Sequence, residues 1–360
     1  PPMDAPVAAP QPFAIAGESV MPGEMRDIAI PVSHQVTGFS ANLALRVIHG
    51  VRDGPTVFVS GAVHGDEIIG TAVIQRLAAR FTPAGLSGTV ILAPAVNIYG
   101  FLAHSRYLPD RRDLNRSFPG SRKGSLAGQL AASFLEHVID KCQLGIDIHS
   151  AAVHRYNLPQ IRIAAGDPYL VELAMAFGAP VIIESPLRDG SMRALANARE
   201  VPMLLMEAGE ALRVDRLSID IGVSGVCRVL AHIGMIEADD GLTTVGIPAR
   251  ANRSVWVRAP RGGVTHRIRK SGNVVHKGDL LARVTGLFGE DPLEMTSPID
   301  GIVIGHATLP VVNQGDALFH IAEVAQLEHA GERIGSITEA IMASEPEGPA
   351  QPLMDEDEVI

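Results

Sequence analysis

Two ionisable residues, His64 and Glu67, follow an apolar run at residues 57–59 that is typical of a buried strand. Gly61 and Gly65 end this run, and the periodicity of an amphipathic helix begins at Glu67. In an open α/β sheet, ligands bind at the carboxyl ends of the strands. An imidazole and a carboxylate three residues apart can bind one metal ion there. The pair is equally typical of a helix N-terminus with an acidic first turn, so a third ligand has to decide between the two interpretations.

Two further apolar strands are predicted to end on ionisable residues, His149 at the end of residues 144–149 and Glu207 at the end of residues 203–207. Burying an ionisable group without a partner is costly, so we expect these side chains to converge on one site. Two histidines and one carboxylate are the ligand set of a catalytic zinc ion, one per chain. Such an ion lowers the pKa of its bound water towards about 7. Glu207 is then the expected general base, which takes the proton of that water and passes it to a leaving amine.

A long irregular loop at residues 97–120 separates two of these strands. Loops of this length in a compact domain are usually functional. Its arginines can neutralise an oxyanion or bind a carboxylate through two parallel hydrogen bonds. Two of them, Arg111 and Arg112, are expected to be solvated rather than functional.

Apolar strands and amphipathic helices alternate along residues 26–240, which predicts a doubly wound α/β domain with a mixed, largely parallel sheet. Alternating apolar and polar positions in residues 26–50 predict an antiparallel pair at the sheet edge. Residues 1–25 are rich in Pro and Ala and are expected to form a flexible N-terminal arm.

The helical periodicity disappears in residues 241–325, where short strand-like runs form an internal repeat. This pattern predicts a smaller all-β domain, a sandwich or barrel. This repeat resembles biotinyl and lipoyl carrier domains, which attach their cofactor to a lysine at a central hairpin. The hairpin at residues 286–296 has no lysine, and Lys277 is the last lysine of the chain. We therefore expect a structural module that borders the active-site mouth or builds an oligomer interface. Residues 326–360 are expected to be an acidic, disordered tail.

The bulk properties exclude several classes of protein. The net charge of −10 argues against a general nucleic-acid-binding surface. No apolar run approaches the roughly 20 residues that span a bilayer, and no signal peptide is recognisable, so a cytoplasmic location without membrane attachment is expected. Cys142 and Cys227 match no zinc or redox spacing and are expected to be reduced. The repeat domain and the Pro-rich arm favour a homo-oligomer.

Residues of about 45–235 resemble the succinylglutamate desuccinylase/aspartoacylase family, which has a zinc carboxypeptidase-like (M14-type) fold. The resemblance is carried by short motifs at residues 64–67, 105–107, 113–116, 147–150, 190–193 and 206–209. It implies zinc ligands at His64, Glu67 and His149, and a general base at Glu207.

The same resemblance implies how a substrate is held. Arg106 would polarise the scissile carbonyl, and Asn115 with Arg116 would hold the α-carboxylate of the substrate. Arg193 would contact the acidic or acyl portion. One departure concerns the tyrosine that aspartoacylases place in the site from their second domain. All four tyrosines of this chain lie in the predicted first domain, so that element is absent or replaced.

We therefore expect a zinc-dependent amidohydrolase that acts on a small N-acyl amino acid. The alternative is a metallocarboxypeptidase that trims peptides or γ-linked glutamate chains with the same residues. A third possibility, an inactive binding protein, is disfavoured by the complete set of ligands, base and arginines.

Overall fold

A sheet of thirteen strands runs through the computed structural model, which describes residues 10–34, 40–239, 247–324, 327, 330–332 and 334–335. The strands are β1 (Phe13–Ile15), β2 (Glu18–Val20), β3 (Met25–His34), β4 (Ser40–His49), β5 (Arg52–Gly61), β6 (Ser87–Ala93), β7 (Leu144–Ala151), β8 (Arg155–Ile163), β9 (Val181–Glu184), β10 (Met203–Glu210), β11 (Ala249–Ala251), β12 (Arg253–Arg258), β13 (Gly263–Arg267), β14 (Val274–Val275), β15 (Leu280–Thr285), β16 (Leu293–Thr296), β17 (Gly301–Ala307), β18 (Val311–Val312) and β19 (Ala317–Glu323). The helices are α1 (Ile69–Arg80), α2 (Ile98–Leu102), α3 (Leu126–His137), α4 (Pro168–Phe177), α5 (Met192–Ala198) and α6 (Arg216–His232), and 3₁₀ turns lie at Pro83–Gly85, Leu114–Arg116 and Ile139–Lys141.

The predicted fold class is confirmed at the centre of this sheet, where β6, β5, β7 and β10 are parallel neighbours. Successive residues of a strand point to opposite faces, and β5 shows this clearly. Val57 and Val59 pack with α1, α4 and α6 on one face. Phe58 packs on the other face with α3 and α5, where its ring meets Phe134 edge to face at a centroid distance of 5.8 Å. Helices therefore cover both faces, as a doubly wound fold requires.

The edge pair predicted in residues 26–50 is also present, since β3 pairs antiparallel with β4 and β4 pairs antiparallel with β6.

The structure differs from the sequence-based expectation at the N-terminus. Residues 1–9 lie outside the described part of the chain, but β1 and β2 form a hairpin rather than a flexible arm. Ile15 and Val20 are buried, at 1% and 0% exposure, and belong to the same apolar cluster as Phe58. Three-residue strands between Pro- and Gly-containing segments leave almost no periodic signal, which is why the sequence did not predict them.

The C-terminal strands continue the main sheet. The first part of β8, near Asn157, pairs with β17, and β19 and β12 follow outwards in that order. The second part of β8, from Gln160, pairs with β9, which in turn pairs with β11. A separate antiparallel sheet in the order β16-β15-β13-β18 agrees with the predicted all-β C-terminal unit. The predicted boundary near residue 240 lies outside the described residues, as does most of the predicted tail at 326–360.

Both cysteines are buried and free, as expected. Within the described ranges, no helix has the length and apolar character needed to cross a membrane.

Candidate active site

All eight site residues predicted from the sequence line one cavity of about 390 Å³. They come from six separate parts of the chain, and the structure brings together His64, Glu67, Arg106, Asn115, Arg116, His149, Arg193 and Glu207. The cavity lies at the carboxyl ends of β5, β7 and β10, where an open α/β sheet binds its ligands. The convergence agrees with the prediction of a single site, and the individual roles of these residues stay predictions.

The candidate metal ligands His64, Glu67 and His149 are buried, and one nitrogen or oxygen atom of each lies within 4.8 Å of the others. Glu67 sits in the turn before α1, where each carboxylate oxygen meets one imidazole. Its Oε1 is 2.8 Å from His64 Nδ1, and its Oε2 is 2.7 Å from His149 Nδ1. The Ser150 backbone N–H also donates to Glu67 Oε2, at 3.2 Å. Two imidazoles and one carboxylate are therefore already gathered around one point.

The other nitrogen of each imidazole is held by a second carboxylate. His64 Nε2 lies 3.2 Å from Asp113 Oδ1, and His149 Nε2 lies 2.6 Å from Asp147 Oδ2. Ser60 Oγ donates to the other oxygen of Asp147 at 2.8 Å, which fixes this carboxylate in turn. Carboxylates in this position orient metal-binding imidazoles and make them better ligands. The sequence indicated Asp147 through its place beside His149 but gave no sign of the contact between Asp113 and His64.

The electrostatics of this cluster favour a cation. Burial by itself would raise the pKa of Glu67, but the neighbouring His64 and His149 hold it well below its usual range. Burial would lower the pKa of His149, yet Asp147 and Glu67 raise it well above the usual value. Burial would also lower the pKa of His64, but Glu67 and Asp113 raise it. Burial would raise the pKa of Asp113, but His64 and Arg106 lower it strongly. Three carboxylates around two imidazoles can exchange the imidazole protons for a divalent ion. The donor set thus fits zinc, which prefers histidine and carboxylate ligands with one position left open.

Glu207 lies in β10 directly before a register shift. It pairs with His149 of β7 on one side and with Gln160 of β8 on the other. The register of β10 shifts just after Glu207 against both neighbours, so that Gly209 faces Asn157. The Asn157 amide Nδ2 donates to Glu207 Oε2 at 3.0 Å.

The long loop brings Arg106 against the candidate metal ligand Glu67. Its Nη1 donates to Glu67 Oε1 at 3.1 Å and its Nη2 to Asp113 Oδ2 at 3.0 Å. Burial would lower the pKa of Arg106, but the charges of Glu67 and Asp113 raise it. The guanidinium is therefore cationic and lies at the cavity wall, with 28% of the side chain exposed.

Asn115 and Arg116 lie in the 3₁₀ turn that Asp113 caps by accepting the Asn115 N–H at 2.8 Å. Asn115 Oδ1 accepts the backbone N–H of Met192 at 2.8 Å, which ties the loop to the start of α5. Arg116 is exposed, and its Nη1 donates to the Asn115 carbonyl at 2.5 Å. Arg111 and Arg112 are exposed as well and do not line the cavity.

Three further arginines, Arg162, Arg188 and Arg193, also line the cavity. Arg193, in the first turn of α5, donates through Nη2 to Ser185 Oγ and to the Pro186 carbonyl, both at 3.1 Å. Its buried Nη1 has no hydrogen-bond partner among the described residues, and neither has the buried Nε of Arg162. Burial, with the charge of Arg162, lowers the pKa of Arg193 to about 10. Arg162 and Arg188 join it in the lining of the cavity. These three side chains add positive charge to the cavity lining, and two of them have buried N–H donors that are unpaired among the described residues.

The C-terminal strands contribute an aromatic wall. Trp256 of β12 lines the cavity, and it is the only tryptophan of the chain. Its ring stacks on His320 of β19 at a centroid distance of 4.1 Å, and the Arg155 guanidinium lies over it at 5.4 Å. The sequence indicated that no tyrosine of the second part of the chain is available. It gave no sign that Trp256 reaches the site, because the approach depends on β12 joining the main sheet.

Comparisons with known proteins agree with this geometry. A family model described as the succinylglutamate desuccinylase/aspartoacylase catalytic domain matches residues 53–233. An N-alpha-acetyl-L-2,4-diaminobutyric acid deacetylase of Halomonas elongata is 27% identical over 314 residues, which cover 83% of this chain and 91% of the relative.

Two solved structures show the same overall arrangement. A succinylglutamate desuccinylase/aspartoacylase of Rhodobacter sphaeroides has a TM-score of 0.74 and 28% identity, covering 84% of this chain and 95% of that one. The product-bound ectoine utilization protein EutE (DoeB) of Ruegeria pomeroyi has a TM-score of 0.73 and 26% identity, covering 83% of this chain and 94% of that one. The similarity therefore extends beyond the matched catalytic segment into the C-terminal strands.

Proposed function

The chain belongs to the succinylglutamate desuccinylase/aspartoacylase family, and from this premise we propose that it is a zinc-dependent hydrolase that cleaves the amide bond of a small N-acyl amino acid. The observation that carries the proposal is the single cavity into which three candidate ligands, a candidate base and several arginines project. The names of the relatives, which include a deacetylase and a desuccinylase, support a deacylation reaction.

His64, Glu67 and His149 would hold the zinc ion. When bound, zinc supplies a Lewis acid that polarises a carbonyl and makes a coordinated water more acidic. Asp113 and Asp147 keep the two imidazoles oriented through their Nε2 atoms.

Glu207 would act as the general base. Its Oε2 accepts the Asn157 amide hydrogen, so Oε1 is the oxygen that takes a proton from the attacking water. The same oxygen then returns that proton to the leaving nitrogen, which departs as a neutral amine. Proton transfer by a positioned side chain of this kind contributes about 10²–10⁴-fold to a rate.

The arginines and Asn115 would stabilise the oxyanion and bind the charged groups of the substrate. Arg106 would stabilise the oxyanion that forms on the former carbonyl oxygen, since a fixed cation is most effective where charge develops. Asn115 and Arg116 would hold the α-carboxylate, and the Asn115–Met192 hydrogen bond keeps that segment against α5. Arg193, which also lines the cavity, would contact the acidic or acyl portion of the substrate.

The alternative, a metallocarboxypeptidase, would use the same residues on a peptide or a γ-linked glutamate chain. Trp256 and Arg155 line the cavity on the side of the C-terminal strands. A wall in that position favours a small substrate over a polymer, because a peptide needs an open groove on both sides of the scissile bond.

A hydrolysis screen tests the proposal. The purified chain, loaded with zinc, is assayed on N-acetyl and N-succinyl derivatives of aspartate, glutamate and diaminobutyrate, with short peptides alongside. We expect release of the free amino acid from at least one N-acyl amino acid. Hydrolysis of the peptides alone would favour the carboxypeptidase, and no hydrolysis of any of them by zinc-loaded protein would contradict both.

A further inference from the structure

Between the strand β17 and the proposed general base Glu207 lies one side chain, that of Asn157. We propose that Asn157 is a positioning residue for Glu207, and that Gly305 of β17 provides the space in which Asn157 adopts this position. The inference rests on the proposed function, because it concerns how the base of that reaction is held. It makes a strand of the C-terminal part of the chain necessary for the chemistry.

The contact between Asn157 and Glu207 is specific. Asn157 is only 8% exposed and lines the cavity, and its Nδ2 donates to Glu207 Oε2 at 3.0 Å. A primary amide is a neutral donor that does not take up a proton near neutral pH. It can therefore fix one carboxylate oxygen without competing for the proton that the other oxygen accepts. An aspartate at this position would bring a like charge, and an alanine would leave the carboxylate free to rotate.

The lack of a side chain at Gly305 leaves room for the Asn157 amide beside Glu207. The two residues are register partners on β17 and β8, and Gly305 also pairs with His320 across an irregularity in the ladder. A Cβ atom on residue 305 would lie 2.8 Å from Asn157 Oδ1 and 3.5 Å from His320 Cβ. Contacts of carbon with oxygen at 2.8 Å are too short for an unstrained structure. A side chain at this position would therefore push the Asn157 amide away from its place.

A chain of direct contacts thus runs from β17 through β8 to β10. Gly305 borders Asn157, Asn157 holds Glu207, and Glu207 pairs with His149 on the far side. Gly305 contributes only by having no side chain. The effect of replacing it on kcat should therefore depend entirely on whether residue 157 is Asn. This dependence makes the proposal testable by a double-mutant cycle.

The cycle compares the unmodified enzyme with Asn157→Ala, Gly305→Ala and the double variant, all assayed with the best substrate of the hydrolysis screen. We expect Asn157→Ala to lower kcat by about 10- to 100-fold, the effect of losing one hydrogen bond to a charged group. KM should change by less than about threefold, and the zinc content by elemental analysis should stay the same. Gly305→Ala should lower kcat when Asn157 is present. It should have no further effect when it is added to Asn157→Ala, because the amide that its methyl group displaces is then missing.

Two further variants serve as controls. Asn157→Asp has the same shape as the original residue and also loses the N–H donor, so kcat should fall again even if the alanine variant folds poorly. Gly262→Ala is a matched glycine substitution in the same part of the chain, where the added Cβ would meet its nearest atom at 3.4 Å, an ordinary contact. It should leave kcat, KM and the melting temperature unchanged.

The outcomes separate this inference from the proposed function. If the unmodified enzyme hydrolyses no substrate of the screen, the proposed function fails and the inference fails with it. If the enzyme is active and both Asn157 variants retain its kcat, only the inference is overturned. It is also overturned if Asn157→Ala raises KM at constant kcat, which indicates a direct substrate contact, or if Gly305→Ala is equally harmful with and without Asn157.

Discussion

Glu207 and His149 occupy paired positions on neighbouring parallel strands. Paired residues of adjacent strands point to the same face of a sheet, and adjacent strands lie about 4.8 Å apart. The proposed base therefore lies next to a candidate zinc ligand because of strand register alone, without help from a mobile loop. Regular pairing of the two strands runs from Met203 to Glu207, and the register shifts only between Glu207 and Glu210.

This relationship predicts separate effects on metal binding and on turnover. Glu207→Gln keeps the shape of the side chain and removes its basicity, and residue 207 is not among the candidate ligands. We expect the variant to bind one zinc ion per chain by elemental analysis, while kcat falls by about 10²–10⁴-fold. Full activity in this variant would contradict the role of Glu207 as base.

Glu210→Gln is the matched control, made three residues later on the same strand. Glu210 accepts hydrogen bonds from the His154 backbone N–H and from Thr308 Oγ1, and it does not line the cavity. The same chemical change there should leave kcat within about twofold of the unmodified enzyme. A comparable loss in both variants would mean that the effect is general rather than catalytic.

The carboxylate behind His149 should control metal affinity. Asp147 lies 2.6 Å from His149 Nε2, and Ser60 holds its other oxygen. Asp147→Asn is nearly isosteric but removes the charge that orients the imidazole and strengthens it as a ligand, so we expect a 10- to 100-fold weaker affinity for zinc. Competition with a chromogenic chelator measures this.

The exposed Asp140, which pairs with Arg199, provides the control for that change. Asp140→Asn should bind zinc as the unmodified chain does. Equal affinity of the Asp147→Asn variant and the control would show that Asp147 does not support the metal centre.

Much of the fold and the site could be predicted because the signals are local. Strands such as β5 and β7 lie at the centre of the sheet and are buried on both faces, so they read as continuous apolar runs. An ionisable residue at or just after the end of such a run is a signal for a functional site. This signal predicts His64, His149 and Glu207 as site residues. The resemblance to the family's motifs implies the roles of the arginines, which stay predictions.

The remaining features depend on contacts between distant parts of the chain. Asn157 is a polar residue inside a strand and belongs to no motif. Its partner Gly305 lies nearly 150 residues later, and no local period records that β17 joins β8. Trp256 reaches the cavity only because β12 and β19 extend the same sheet. Asn157 and Trp256 thus have no local signal in the sequence, because each reaches the site through strand pairing and belongs to no motif.

The charge of the cavity should select among substrates. Arg193 and Arg162 have buried nitrogen atoms without described partners, and Arg188 adds a third cation to the same lining. An anionic side chain or acyl group would satisfy these donors, whereas an ammonium group would be repelled. We expect kcat/KM to favour N-acyl derivatives of aspartate or glutamate over N-acetyl-diaminobutyrate by at least about tenfold, since like charges brought together cost several kcal/mol.

Replacement of one arginine tests this selectivity. Arg193→Gln should reduce the preference for the acidic substrate, whereas Arg199→Gln, at the exposed end of α5, should leave it unchanged. A preference of the unmodified enzyme for the diaminobutyrate derivative would contradict the electrostatic argument.

The stability of the protein should depend on pH through His306 of β17. Burial lowers the pKa of His306 to about 4, with help from the cationic Arg267 and Lys270. Its Nδ1 accepts hydrogen bonds from the Ser271 backbone N–H at 3.0 Å and from Ser271 Oγ at 2.7 Å, so this nitrogen carries no proton in the folded chain. In the unfolded chain a histidine titrates near pH 6.5. Between these two values the unfolded state binds more protons than the folded state, and it is therefore favoured as the pH falls.

We expect the free energy of unfolding to decrease from about pH 6.5 to about pH 4, by roughly 3 kcal/mol through this group, and to lose nothing further from it at lower pH. His306→Asn offers a carbonyl oxygen that can accept the Ser271 hydrogen bonds but does not titrate. Denaturant unfolding across this pH range should therefore show a flatter dependence for His306→Asn than for the unmodified chain. His276→Asn makes the same change at an exposed site and should keep the original slope. Parallel curves for the unmodified chain and His306→Asn would mean that His306 is protonated in the folded state as readily as in the unfolded one.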